Sequence, residues 1–442
     1  KPPPTPVLKV ASRLHPEFRR RAAAAARTLA TSPAPPIIEE WHTRTRPRLV
    51  AQNLAFQALD LDALDDLTLA GHIDALLQHL RAGMEEHFRL HAYDLGPIAR
   101  LLDAGGGWGL EPGNLVAALA GASPSTMAPV EALARIRAGV EAAGASPTTL
   151  DEVRAVSDQV AAELDSYLQL RGSVLYAGYD IDSPTLGEHP EIVLATILHQ
   201  SPDRQFDVAA HEASVASLRD QVPAPERSRF DQLLADARDA MDMRDDNGPI
   251  TAEWPCGLLR LAMLSAGRRL AADHRMQEAA HIFELDADEL ITLVGTRHGP
   301  SPDELARRAA VRAHEKTLTP PQTLGEPEPQ PPLDALPQPL ADSVRMVQTA
   351  IDQMGMDARV ETTEGGWALA GTGIGTERLV GRACVATDAE TAFDSLTPGD
   401  ILVTRTTSPA YNMVLTLVGG LVTAEGGPMS HSAVLSRELN LP

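Results

Sequence analysis

Apolar residues recur at helical spacing through most of the first 316 positions. Within residues 151–170, Val153, Val156, Val160, Leu164 and Tyr167 form one stripe, and Thr149 to Glu152 offers a capping box, so one helix is expected there. The same periodicity predicts helices over residues 61–90, 129–143, 226–243, 258–272 and 302–314, and abundant alanine favours their close packing. Little structure is expected in the proline-rich opening, residues 1–7.

The pattern then changes twice. Residues 317–340 contain eight prolines, too many for a helix or a central strand, and read as a semi-rigid linker that either carries a mobile unit or tethers it passively. Beyond it, residues 341–354 look helical. Short strand patterns follow from about residue 360, around Val380, Ala383 and Val385, then at residues 401–403, 414–417 and 419–423, each bounded by glycine or proline. The expected organisation is a large, mainly α-helical domain over 1–316, the linker over 317–340, and a smaller domain with short strands over 341–442.

Composition narrows the class. With 442 residues the chain is long enough for two or three domains, and 43% hydrophobic positions suffice for buried cores. A net charge of −22 argues against binding a phosphate backbone, so no nucleic-acid partner is expected. No apolar run is long enough for a membrane span and no signal-peptide order opens the chain, so a cytoplasmic location and no membrane partner are expected. Cys256 and Cys384 lie in different regions and support neither a disulfide framework nor a zinc cluster. The absence of an initial Met and the stop at Pro442 suggest a piece of a longer polypeptide.

The most informative chemistry lies near the end. Gly426 and Gly427 permit a tight turn after a short strand, and Ala433, Val434, Leu435 and Leu439 then fall near helical spacing. His431 is thereby placed in the first turn of a helix, where free N–H groups and the positive dipole end favour an anion. Ser430 and Ser432 either add hydroxyl hydrogen bonds or, in the case of Ser430, simply cap the helix.

These residues carry a resemblance. Gly426, Gly427, Ser430, His431 and Ala433, followed by Arg437, Glu438, Leu439 and Pro442, resemble the swivelling phosphohistidine domain of the phosphoenolpyruvate-utilising enzymes. Residues 376–383 and 396–403 look like that domain's opening strand and its Pro-Gly-Asp strand start. The resemblance implies that His431 is the phosphorylated histidine and that Gly426, Gly427, Ser430 and Ser432 support its loop. The resemblance further implies a β/β/α swivelling domain over 341–442, incomplete at its C-terminal end.

The order of helical domain, linker and swivelling domain is similar to the rear part of the rifampin phosphotransferase family. In that family an ATP-grasp-type module supplies the phosphoryl group, and nothing in this sequence resembles its nucleotide loops or Mg²⁺-binding carboxylates. The resemblance therefore implies a phosphotransferase component whose donor, ATP with Mg²⁺ or phosphoenolpyruvate, binds a module upstream or on a separate chain. The acceptor would be a small molecule bound by the helical domain. The alternative is a non-catalytic ligand-binding or regulatory protein that keeps the swivelling fold.

Acceptor-side candidates come from two breaks in the helical pattern. Residues 171–184 include Arg171, Asp180 and Asp182 and read equally as a substrate-facing loop or a buried structural one; similar proteins carry a comparable break in their acceptor domain. Residues 243–248 bring Arg244, suited to a phosphate or carboxylate, and Asp245, a candidate base along with Asp180 and Asp182. The same stretch reads better as a solvated turn ended by Gly248. His87 and His91 share a helical face beside Glu86 and Asp94, but without a third firm ligand they read as structural and no metal is assigned. Gly105, Gly106 and Gly107 read as a loop, not a phosphate cradle.

Overall fold

The computed structural model describes residues 5–176, 180–199, 206–318, 321, 324–325, 332–354, 371–374, 378–407 and 411–442. Its backbone is a large helical body with a small parallel sheet near the C-terminus, the fold class that the hydrophobic pattern predicts. The helical body is organised around one helix, Asp66–Gly107, begun by Asp65, whose side chain accepts from the Thr68 N–H. At 1.5 Å per residue this helix is about 63 Å long. One end packs in a core with Trp41, Trp254 and Leu293, and the other in a core with Leu115, Phe230 and Met346. A third core gathers Leu133, Val160, Leu164 and Ile197.

Several local expectations are corrected. Residues 5–14 form the helix Thr5–Leu14, anchored where Ser12 Oγ donates to the Ala335 carbonyl at 2.7 Å. The expected single helix over 151–170 is two, Leu150–Arg154 and Asp158–Arg171, because Ser157 starts a new helix by accepting from the Val160 N–H. Gly105 to Gly107 end the long helix and form no loop. A Cβ on Gly105 would meet Leu115 Cδ1 at 2.2 Å, so close packing explains at least this glycine.

The expected turn at 244–248 is likewise helix. Arg227–Gly248 runs directly into a π-helical segment, Pro249–Glu253, and on into Trp254–Ala272. Tertiary bonds override the local turn signal: Asp246 is ion-paired with Arg46, and Asn247 Nδ2 donates to the His87 carbonyl at 3.2 Å.

Of the proline tract, residues 319–320, 322–323 and 326–331 lie outside the described residues. Its end packs on the body: Ala335 is buried in a short turn, and Gln338–Met354 is a helix that places Met346 and Ala350 in the second core. The β pattern expected from residue 360 lies outside the described residues up to 370, as do residues 376–377 of the expected opening strand, which begins at Ala383.

Three parallel strands follow, β1 (Ala383–Val385), β2 (Ile401–Thr404) and β3 (Gly420–Thr423), in the order β1-β2-β3. Parallel pairing requires crossovers. The helix Ala389–Ser395 supplies the first. The second contains the helical turn Asn412–Leu415, correcting the strand expected at 414–417. Asp400 of the Pro-Gly-Asp motif accepts from the Thr397 N–H at 2.7 Å and from Arg382 Nε at 3.0 Å, tying the starts of β1 and β2 together.

This small unit is seated on the helical body. Met429 joins the second core, Tyr167 Oη donates to Met413 Sδ at 3.5 Å, and the Met429 N–H donates to the Gln353 carbonyl at 2.7 Å.

Candidate functional site

The turn after β3 positions His431. Gly426 has φ +128°, a conformation that side chains disfavour, and a Cβ there would lie 2.9 Å from Ser430 Oγ. Gly427 contributes its carbonyl, which accepts from the Ser430 N–H at 2.9 Å. Ser430 caps the helix His431–Glu438: its Oγ accepts from the Ala433 N–H at 3.3 Å and lies 2.9 Å from Ser432 Oγ. His431 is the first residue of that helix.

Both imidazole nitrogens have partners. Nδ1 is 2.9 Å from Thr407 Oγ1 and Nε2 is 2.8 Å from Asn412 Oδ1. With Nε2–H donating to Asn412, Nδ1 accepts from the Thr407 hydroxyl. Removal from bulk water, reinforced by the positive charge of Arg244, pushes His431 down to about 3. The ring is therefore neutral at neutral pH, as a nucleophile must be.

His431 faces a cavity of about 240 Å³ between the two units. The body contributes His87, His91, Thr126, Arg244, Asp245, Gly248 and Pro249; the small unit contributes Asn412, His431, Val434 and Leu435. Asp245 Oδ2 accepts from Thr126 Oγ1 at 3.3 Å, and burial raises Asp245 above the usual carboxylate range against the opposing pull of Arg244. His91 Nδ1 lies 2.7 Å from Asp94 Oδ2, and the Nε2 atoms of His91 and His87 are 3.0 Å apart.

Of the acceptor-side candidates, Arg244 and Asp245 thus meet His431 around one cavity. Arg171, Asp180 and Asp182 are not among its lining residues. Arg171 ends its helix, while Asp182 pairs with Lys316 and, at 2.7 Å, with Arg312; Asp180 lies 3.9 Å from Lys316. Residues 177–179 of that loop lie outside the described residues. Thr126, Thr407 and Asn412 escaped the sequence reading, and His87 and His91 were read as structural. Their usable signal was the spacing of His87, His91 and Asp94 along one helical face.

Residues 396–442 match the PEP-utilising enzyme mobile domain. The chain carries the mobile domain of the PEP-utilising enzymes. Over 310 residues, 66% of this chain and 32% of the relative, it is 27% identical to a rifampicin phosphotransferase of Streptomyces sviceus. A rifampicin phosphotransferase of Bacillus cereus is 23% identical over 64% of this chain and 31% of its own length. A pyruvate kinase of Lactobacillus delbrueckii subsp. bulgaricus is 38% identical over 72 residues, 16% of this chain and 12% of its own. The chain thus spans about a third of the rifampicin phosphotransferases it matches. Among the described residues, no helix is long and apolar enough to cross a membrane, and no three His, Cys, Asp or Glu residues are grouped to hold a metal.

Proposed function

We propose that this chain is the carrier and acceptor-binding part of a phosphotransferase, with His431 transferring a phosphoryl group to a small-molecule hydroxyl. The observation that carries this reading is the position of a neutral, helix-capped His431 on a cavity whose opposite wall holds Arg244 and Asp245. The donor, ATP with Mg²⁺ or phosphoenolpyruvate, belongs in this reading to a module outside the chain.

Loading uses the other tautomer, in which the ring proton sits on Nδ1 and is donated to Thr407 Oγ1 while Nε2 is released from Asn412 Oδ1. Nε2 then attacks the donor phosphorus, an N–P bond forms and the donor's O–P bond breaks. In the second step, the acceptor oxygen forms an O–P bond, the N–P bond breaks and its electron pair returns to Nε2. Asp245, whose raised proton affinity suits a base, takes the hydroxyl proton, and Arg244 neutralises the phosphoryl oxygens in flight. Splitting the transfer in two allows donor and acceptor sites to lie apart, with the mobile domain moving between them.

Treatment of the chain with phosphoramidate, with phosphoenolpyruvate or with ATP and Mg²⁺, followed by mass spectrometry under neutral conditions, tests the carrier role. An acid-labile phosphate on His431 under at least one donor, absent from His431→Ala, is expected. Phosphorylation confined to other residues under every donor would overturn the reading and favour a non-catalytic binding protein.

A further inference from the structure

The cavity wall opposite His431 contains a side-chain cluster in which two imidazole nitrogens meet. Asp94 is 2% exposed at its side chain, and its Oδ2 accepts from His91 Nδ1–H at 2.7 Å. That bond places the lone pair of a neutral His91 on Nε2. Thr251, in the π-helical segment, donates its hydroxyl proton to the Asn247 carbonyl at 2.5 Å. Its Oγ1 is then an acceptor, and its partner at 3.2 Å is His87 Nδ1–H. A neutral His87 so arranged also has its lone pair on Nε2.

The two Nε2 atoms lie 3.0 Å apart. Two lone pairs at that distance repel, and one proton between them replaces the repulsion with a charge-assisted hydrogen bond. A counter-charge is in place in the Asp94 carboxylate, whose Oδ2 takes the His91 bond.

We infer that His87 and His91 hold one shared proton between their Nε2 atoms, balanced by Asp94, and that this imidazolium pair attracts, together with Arg244, the oxygens of the phosphoryl group carried by His431. The direction of each shift agrees. The Asp94 hydrogen bond holds His91 above the ordinary imidazole range, while burial and then the charge of His91 hold His87 below it. The charged or titratable groups facing the pair are Asp94 on its own helix, Arg244 and Asp245 on Arg227–Gly248, and His431 on the mobile domain. His91 remains 45% exposed at its side chain, so its proton exchanges with solvent.

The ligand class is thereby a phosphate or phosphoryl group that Arg244 pairs directly and the imidazole pair attracts through space, with Asp245 kept for the acceptor's proton. The ring N–H groups of the pair are committed to Asp94, Thr251 and each other. This assignment rests on His431 being the carrier, but its test needs no transfer. Inorganic phosphate is titrated calorimetrically into the whole chain between pH 6 and 8.5, and ¹⁵N spectra report the histidine protonation states.

At pH 6.5, His91 is expected to show both nitrogens protonated and His87 a protonated Nδ1. Referred to the dianion, whose fraction itself grows across this range, phosphate binding should weaken as pH rises and the pair loses its proton. His91→Gln and His87→Gln should each weaken binding at pH 6.5 by about tenfold and flatten its pH dependence. Unchanged affinity in both Gln variants, or binding that tightens with pH, would overturn the assignment. So would two neutral rings in the wild-type spectra, a readout that stands even if the variants misfold, or a zinc ion bridging the pair at the expense of phosphate.

Discussion

The backbone N–H of Gly121, on the helical body, donates a 2.7 Å hydrogen bond to Glu438 Oε1 on the helix His431–Glu438. Glu438 is 1% exposed, and its other carboxyl oxygen has no partner among the described residues. Burial pushes its proton affinity up to about 7, the Gly121 bond opposes this, and the negative charge of Asp245 adds to it. Seating the mobile domain therefore favours the protonated acid. Because the seated value lies above the ordinary 4.5, this contribution is fully present below 4.5 and lost as pH rises through about 7.

Glu438→Gln keeps an acceptor for Gly121 and removes the buried charge. At pH 8 the variant is expected to hold the mobile domain against the body more firmly than the wild type, by roughly 3 kcal/mol at most. Hydrogen exchange at the Gly121 amide, compared at pH 5 and pH 8, measures it. Equal pH dependence in the two proteins would show that this carboxyl does not govern seating.

Gly83 explains how the imidazole pair reaches the cavity. A Cβ on Gly83 would lie 2.1 Å from the Thr251 carbonyl oxygen, so the long helix approaches the π-helical segment at a distance that only glycine tolerates. One turn on, His87 meets Thr251 Oγ1. Gly83→Ala is expected to cost about 1–3 kcal/mol of stability and to separate His87 from Thr251. Thermal unfolding reads the first effect, and the ¹⁵N shift of His87 Nδ1 reads the second.

The parts of this molecule legible in the sequence are those whose causes are local. Gly426, Ser430 and His431 form a turn, a cap and a helix start within six positions, and the strands at 383–385 and 401–404 are short apolar runs bounded by turn residues. The run at 414–417 misled because a brief apolar stretch suits a strand or a buried helical turn equally well. The cavity was illegible for a different reason. His87 meets Asn247 160 positions away, and Arg46 holds Asp246 across 200, so the Arg227–Gly248 helix passes through an apparent turn. No local pattern encodes the meeting of Arg244 with His431.

A change at Arg244 tests whether the two proposed steps can be separated. Its guanidinium lies close enough to His431 and to His91 to oppose protonation of both. Arg244→Gln should leave chemical phosphorylation of His431 intact while slowing transfer to an accepted substrate roughly 10²-fold, the loss typical when one preorganised donor to a developing anion is removed. Single-turnover transfer from the phosphorylated chain, joined to its donor module, measures the second step. Equal loss in both steps would instead make Arg244 a general determinant of the fold.

The pH response of His431 runs opposite to that of Glu438. Its seated value, about 3, lies below the ordinary 6.5 because burial and Arg244 both disfavour the imidazolium. This contribution to seating is present above pH 6.5 and is lost as pH falls towards 3, where the ring must gain a proton and water. Glu438 weakens seating as pH rises from 4.5 towards 7, so the two groups pull against each other across the mildly acidic range. Removing one should expose the other. In Glu438→Gln, seating is expected to rise steadily with pH and level off above about 6.5; in His431→Ala, it is expected to fall with pH until about 7. Interdomain energy transfer between labels on the body and the mobile domain, followed from pH 4 to 8.5 in both variants, measures the two slopes. Slopes of the same sign would mean that His431 does not enter the cavity as a neutral ring.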